Sequence, residues 1–303
     1  MAEQKQRVVW VVGHKNPDTD SICAAIAYAD LKNKSEDGVF LPKKAGNVNQ
    51  ETRYVLDRFG VQEPKTISDV GAQLKDINYR RSEGVSEHIT LKKAWELMRQ
   101  LDVVTMPVVN ENRHLEGLIT NSDIAYSYMD ILDNRILSRA RTQYKNIVET
   151  IQGTLQCGNP HARFTKGKVV VATGNRDAMR REIEQDDLVV VGNIRERQMI
   201  ALERDAACIV ICGENQVDEE VLRLARQQEC VLITTEYDAF TTARLIHQSI
   251  PIRFFMTKDN IISFQLDDYV DYVQDVMASV RHRDFPILDE QRRFVGMLSR
   301  RYL

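Results

Sequence analysis

His14, Asp18 and Asp20 place one imidazole and two carboxylates within seven residues. That donor set suits a divalent ion with mixed nitrogen and oxygen preference, such as Mn²⁺ or Co²⁺. Two carboxylates so close repel each other unless a cation bridges them. The competing reading is a solvated acidic turn in which Asp20 or Ser21 caps a helix. The elements that must position them are a strand and a helix. Val8-Val9-Trp10-Val11-Val12 is a near-continuous apolar run, the pattern of a parallel strand covered on both faces. Gly13 permits a turn, and Pro17 cannot extend a ladder. Ile22, Ala25, Ile26 and Ala29 recur at i, i+3, i+4 and i+7, which predicts a helix with a narrow apolar face. The three side chains therefore fall at the carboxyl end of a strand, where open α/β sheets hold their ligands.

The string Gly13-His14-Lys15-Asn16-Pro17-Asp18-Thr19-Asp20-Ser21 closely resembles the opening motif of the family II inorganic pyrophosphatases, within the DHH phosphoesterase group. The resemblance implies that His14, Asp18 and Asp20 are ligands of a dinuclear manganese or cobalt centre, with Mg²⁺ accompanying the pyrophosphate substrate.

At 303 residues the chain can hold two or three domains. A formal charge of −3 gives no electrostatic case for nucleic acid or an anionic membrane. No apolar segment precedes Val8 and no run reaches membrane length. Five cysteines without a secretory signal fit reduced thiols and a cytoplasmic location. Cys208 and Cys212 would lie roughly 13 Å apart along a strand, too far to bridge, and are expected to pack as apolar residues.

Val39-Phe40-Leu41 predicts a second strand, and Asn49 opens a helix with Val55, Leu56 and Phe59 on its apolar face, ended by Gly60. This Rossmann-like start is too short to be a domain alone. Strand-like Thr66-Ile67 then begins a different pattern. A helix carries Leu91, Ala94, Trp95, Met98 and Leu101. Two strands follow, Met106-Pro107-Val108-Val109 and Leu115-Glu116-Gly117-Leu118-Ile119, with a turn at Asn110-Glu111-Asn112 and a helix from Thr120-Asn121-Ser122-Asp123. This order resembles a CBS motif. It recurs with Leu266, Val270, Val273, Met277 and Val280 on a helix, then Phe285-Pro286-Ile287-Leu288-Asp289 and Phe294-Val295-Gly296-Met297-Leu298-Ser299. A repeat carries more weight than either copy. Pro107 matches Pro286, Gly117 matches Gly296 and Thr120 matches Ser299. Two such motifs pack as one module, so they are expected to meet in space although residues 128–247 separate them.

Between them, Val169-Val170-Val171, Leu188-Val189-Val190-Val191, Cys208-Ile209-Val210-Ile211 and Cys230-Val231-Leu232-Ile233 alternate with helical segments, as in a parallel β/α domain. Its position resembles the DRTGG domain of regulated family II pyrophosphatases, although Thr173-Gly174-Asn175-Arg176-Asp177 stands where the naming pentapeptide would be. The expected fold class is α/β. Its parts are a partial Rossmann-like DHH domain (1–64), CBS motif 1 (65–127), a DRTGG-like domain (128–247) and CBS motif 2 (248–303), cut in its last helix.

The CBS resemblance implies that Thr120/Asp123 and Ser299/Tyr302 hold ribose and phosphate of adenine nucleotides: AMP, ADP, ATP or diadenosine polyphosphates. A hydroxyl and a helix N-terminus attract the anion, Asp123 accepts from ribose hydroxyls, and Arg300 offers a bidentate phosphate partner. Tyr302 stands where an Asp is usual. Thr120 and Ser299 are also plausible plain N-caps. A homodimer through the CBS motifs is expected.

The resemblance also implies an Asp-His-His signature, further aspartates and a basic substrate domain that these 303 residues do not contain. The expectation is a nucleotide-regulated hydrolase by family, inactive as this chain. The alternative is a non-catalytic adenine-nucleotide sensor. A DHH phosphoesterase acting on nucleotides or single-stranded nucleic acid is disfavoured by the CBS insertion and the acidic balance.

Overall fold

The computed structural model describes residues 8–67, 71–129, 133–213 and 216–302, so Leu303 lies outside it. The chain divides into two compact units at Ala72/Gln73.

The first unit contains β1 (Val8–Val12), α1 (Thr19–Ser35), β2 (Val39–Lys44), α2 (Gln50–Phe59) and β3 (Lys65–Thr66). The strands form a parallel sheet in the order β1-β2-β3, with Val8 opposite Val39 and Lys43 opposite Lys65. Lys65–Thr66 thus adds to this sheet, whereas Thr66-Ile67 was expected to open the first CBS motif. Asn49 caps α2 by accepting from the Thr52 amide, and Gly60 ends it at φ 64°. The core is small: Ile22, Val48 and Leu56. Two expectations change here. β1 is not covered on both faces, since Val8 and Trp10 are 54% and 50% exposed. Phe59, expected on the buried face of α2, is exposed. An apolar run records what a strand can bury, not how many layers cover it. Trp10 instead faces the Lys43 ammonium, 5.4 Å from the ring centre.

The second unit opens with β4 (Arg80–Arg81), α3 (Leu91–Gln100), β5 (Thr105–Val109), β6 (Leu115–Thr120) and α4 (Asn121–Met129). Next come α5 (Ile136–Arg139), α6 (Tyr144–Thr150), β7 (Thr154–Cys157), β8 (Val169–Val171), α7 (Arg176–Glu182), β9 (Leu188–Gly192), α8 (Arg195–Glu203), β10 (Cys208–Cys212), α9 (Glu219–Gln227), β11 (Val231–Thr235) and α10 (Ala239–Gln248). It ends with β12 (Phe264–Gln265), α11 (Val270–Ser279), β13 (Asp284–Leu288) and β14 (Phe294–Ser299).

The middle elements form a five-stranded sheet ordered β7-β11-β10-β9-β8. β8 to β11 are parallel, and β7, which the sequence pattern did not disclose, runs antiparallel to β11. Residues of α7, α8 and α9 share a core with one face of the sheet; α6 and α10 cover the other. Strands buried on both sides explain the uninterrupted Leu188–Val191 and Cys208–Cys212 runs. Cys208 and Cys212 are free and buried. Burial raises both thiols above the usual range.

The flanking repeats meet, as expected, by exchanging a strand. β4, which precedes the first repeat's helix, pairs antiparallel with β14 of the second, Arg81 opposite Gly296 and Arg80 opposite Met297. Reciprocally, Thr257 pairs with Leu118 of β6, each amide donating to the other's carbonyl at 2.9 Å. The β13-β14 hairpin therefore carries a foreign strand at its far edge, and the β5-β6 hairpin a single bridging residue of the other repeat. The hairpin turns are alike. Asn110 Oδ1 accepts from the amides of Asn112 and His114, and Asp289 Oδ1 from those of Gln291 and Arg293. Arg113 and Arg292 both adopt left-handed φ. The turns also join: the Phe294 amide donates to the Arg113 carbonyl at 2.8 Å. Leu288, Phe294 and Met297 pack with Val109, Leu115 and Leu118. Among the described residues no helix is long and apolar enough to cross a membrane.

Candidate functional site

At the end of β1 the backbone crosses the first turn of α1 closely. A Cβ on Gly13 would collide with Ser21 Oγ and lie 3.0 Å from Ser21 Cβ, so any larger residue would have to turn the Ser21 hydroxyl away. That Oγ accepts from the His14 amide at 3.2 Å. Asp18, rather than Asp20 or Ser21, is the N-cap of α1 and accepts from the Ser21 amide at 2.9 Å. This amide bond, aided by the nearby His14 imidazole against a smaller effect of desolvation, holds the Asp18 carboxyl below its usual range. His14 Nε2 lies 3.3 Å from Asp18 Oδ1. Asp20 is exposed in the first turn of α1. Among the described residues no group of three or more His, Cys, Asp or Glu side chains is placed to hold a metal ion. Two of the three expected ligands therefore come together. Two donors do not complete the coordination shell of a Mn²⁺ or Co²⁺ ion, so these residues alone do not fit one.

The second candidate lies in the strand-exchanged repeats. Thr120 ends β6, and Asp123 Oδ2 accepts from both the Thr120 amide (2.8 Å) and its hydroxyl (2.7 Å). The Asp123 amide donates back to Thr120 Oγ1 at 3.2 Å. The expected pair is thus joined at the N-terminus of α4, in the reciprocal pattern of a capping box.

The matching turn differs. After Ser299, Arg300–Tyr302 form one 3₁₀ turn. Arg300 is not free at this surface: its Nε donates to the His282 carbonyl at 2.8 Å, and Nη2 to the carbonyls of Met277 and Val280. Carbonyls at and just beyond the end of α11 are within reach of a long cation, that of Met277 accepting from the Val280 amide as well. The phosphate role expected for Arg300 must compete with those bonds. Arg301 lies over the Tyr302 ring at 5.2 Å and approaches its hydroxyl at 3.4 Å.

Strand exchange adds residues that the motif comparison missed. Arg80, Arg81, Ser82 and Glu83 line a cavity of about 420 Å³ together with Thr105 and Pro107. That volume is in the range of small-ligand sites. Thr105 is the register partner of Thr120, and Arg80–Arg81 pair with β14 just before Ser299. Only the pair of adjacent arginines could have drawn attention in the sequence; what they sit beside depends on the exchange.

The chain matches family models for the CBS domain over residues 74–130 and 252–303, and for the DRTGG domain over residues 146–249. It is 37% identical over 296 residues to the cobalt-dependent inorganic pyrophosphatase of Clostridium perfringens, covering 98% of this chain and 54% of the relative. To the probable manganese-dependent inorganic pyrophosphatase of Thermotoga maritima it is 28% identical, covering 96% and 53%. The chain thus spans about half the length of these relatives. A crystal structure of the CBS and DRTGG domains of the regulatory region of Clostridium perfringens pyrophosphatase, complexed with its activator diadenosine tetraphosphate, matches with a TM-score of 0.72 and 32% identity. The match covers 76% of this chain and all of that one.

Proposed function

The chain belongs, through its CBS and DRTGG domains, to the family of regulatory regions of cobalt- and manganese-dependent inorganic pyrophosphatases, and we propose that it binds adenine nucleotides between its two CBS motifs to control pyrophosphate hydrolysis. The observation that carries this reading is the cavity at the exchanged strand, which sets Arg80 and Arg81 beside Thr105, the register partner of Thr120, on a strand paired with β14. Thr120 and the α4 N-terminus attract phosphate. Asp123 accepts from ribose, and Ser299 and Tyr302 do the corresponding work in the second repeat. Arg80 and Arg81 supply the cations for a phosphate chain, with Arg300 contributing once a phosphate outcompetes its carbonyl partners. AMP, ADP, ATP and diadenosine polyphosphates all carry the required chemistry. Titration calorimetry with AMP, ATP and a diadenosine polyphosphate tests this directly: saturable binding of one of them is expected, and no heat from any would sink it.

A divalent metal centre would supply Lewis-acid activation of water for pyrophosphate hydrolysis; His14, Asp18 and Asp20 would furnish part of its ligand set only together with further donors, and Mg²⁺ would accompany the substrate. With no three-ligand group among the described residues, these 303 residues are expected to release phosphate from pyrophosphate only at background, with Mn²⁺, Co²⁺ and Mg²⁺ present. Turnover abolished by His14→Ala would contradict this. The same observation favours a second reading, a nucleotide sensor that does no chemistry of its own. A nucleotide-dependent change in phosphate release by any protein that contains this region would separate the two.

A homodimer belongs to the proposal. Leu101 on the segment after α3, and Tyr126 and Met129 on α4, are 58%, 64% and 78% exposed, an apolar surface that a second copy would cover. Light scattering is expected to give twice the chain mass at micromolar concentration; a monomer throughout that range excludes it.

A further inference from the structure

A second cavity, of about 570 Å³, lies where α3 and α4 of the first repeat meet α10 of the β/α domain. It shares no lining residue with the nucleotide cavity described above. Leu91, Ile124 and Ala125 supply an apolar floor, and Trp95 and Tyr128 stand as two aromatic walls, 43% and 41% exposed. Such rings offer flat apolar area at low entropic cost.

The charge of the lining is one-sided. It includes Lys92 and Arg244, and no carboxylate among the described residues that line it, in a chain whose formal charge is −3. Neither cation is committed to an acid there: Lys92 Nζ donates to the Thr150 carbonyl at 3.0 Å, and Arg244 lies 5.8 Å over the Phe240 ring. Leu91, Lys92 and Asn121 are first-turn residues of α3 and α4, so two helix N-termini border the space and favour negative charge. Asn121, also in the lining, has its Oδ1 buried without a hydrogen-bond partner. Behind Tyr128, the His247 ring packs at 5.2 Å and burial lowers its basicity, so it backs the wall as a neutral group.

We infer that this cavity binds a small aromatic anion, its ring held between Trp95 and Tyr128 and its acidic group on Arg244 and Lys92. Neither element alone would select such a ligand. An apolar slot takes any ring, and surface cations take any anion; their conjunction in one enclosure selects both properties. On α4, Tyr126 lies well around the helix from Ala125 and Tyr128, whereas Met129 is one turn from Ala125 on the same face, so binding is measured across protein concentration to separate it from pairing of two copies.

The probe is 8-anilinonaphthalene-1-sulfonate, an aromatic sulfonate that fluoresces when desolvated, added to the folded full chain. A Trp10→Phe background leaves Trp95 as the one tryptophan, since the chain has two. One saturable site per chain is expected, with energy transfer from Trp95. Ala125→Trp fills the cavity and should abolish that site. Arg244→Gln should weaken the sulfonate about tenfold, while the uncharged N-phenyl-1-naphthylamine binds with unchanged affinity. Urea midpoints measured in parallel show whether each variant remains folded, and Tyr128→Leu, which keeps the apolar volume but removes the ring, serves if Ala125→Trp is not. The inference fails if no saturable site appears, or if folded Ala125→Trp or Tyr128→Leu binds as the parent does. It fails also if Arg244→Gln affects both probes equally, or if binding rises and falls with dimerisation across protein concentration.

Discussion

Gly296→Val is expected to destabilise the second unit by about 3 kcal/mol, at the upper end of what overpacking usually costs. A Cβ at this position would lie 2.6 Å from the carbonyl oxygen of Arg80 and 2.7 Å from the Tyr79 ring. The first obstacle is backbone and belongs to the exchanged strand, so relief requires β4 to leave β14. Gly117→Val should behave alike, because its Cβ would meet the Thr257 carbonyl at 2.8 Å. Since β4 also brings Arg80 and Arg81 to the proposed nucleotide cavity, Gly296→Val should lose AMP binding along with stability. Gly192→Ala is the control: it meets nothing within 4 Å, and its effect should stay within about 0.5 kcal/mol. Urea unfolding followed by circular dichroism measures all three. Equal midpoints for Gly296→Val and Gly192→Ala would show that the exchanged strand does not hold the repeats together.

Asp123→Ala is expected to weaken AMP by about ten- to a hundred-fold. A hydrogen bond to a charged group contributes about 1.5–3 kcal/mol, and every 1.4 kcal/mol is about a factor of ten in affinity. The substitution also removes the acceptor for the Thr120 amide and hydroxyl, a cap whose loss costs about 1 kcal/mol of stability. Asp123→Asn keeps a capping oxygen and should restore most of the stability but not the affinity, because one of its two acceptors becomes a donor. Affinity recovering together with stability would reduce Asp123 to a cap. Arg300→Ala separates two roles in the same way. Loss of the carbonyl bonds to Met277, Val280 and His282 lowers the melting temperature in any case; weaker AMP binding appears only if the guanidinium also reaches phosphate. Calorimetry on variants confirmed as folded distinguishes these outcomes.

Much of this chain was legible from local patterning. Parallel strands buried on both faces must be apolar throughout, so β9, β10 and β11 showed themselves as runs. Helix ends carry their own chemistry, which is why Asn49 and Gly60 marked α2. The repeat was visible because each copy must solve the same turn and the same close approach: Asn110 and Asp289 at the turns, Gly117 and Gly296 on the strands.

What the tertiary structure decided was everything that depends on a distant partner. Val8–Val12 has the composition of a covered strand, yet coverage is set by what packs on it, and Val8 and Trp10 are half exposed. Asp18, Asp20 and His14 are neighbours in sequence, but Asp18 is held by the Ser21 amide with His14 beside it, while Asp20 is exposed in the first helical turn. Arg300 has the chemistry of a phosphate ligand, and only the placement of the α11 carbonyls shows where its hydrogen bonds go. Arg80 and Arg81 had no evident task until their strand crossed to the other repeat. A residue's type fixes which bonds it can make; which of them it does make is settled by groups that the fold brings from far along the chain.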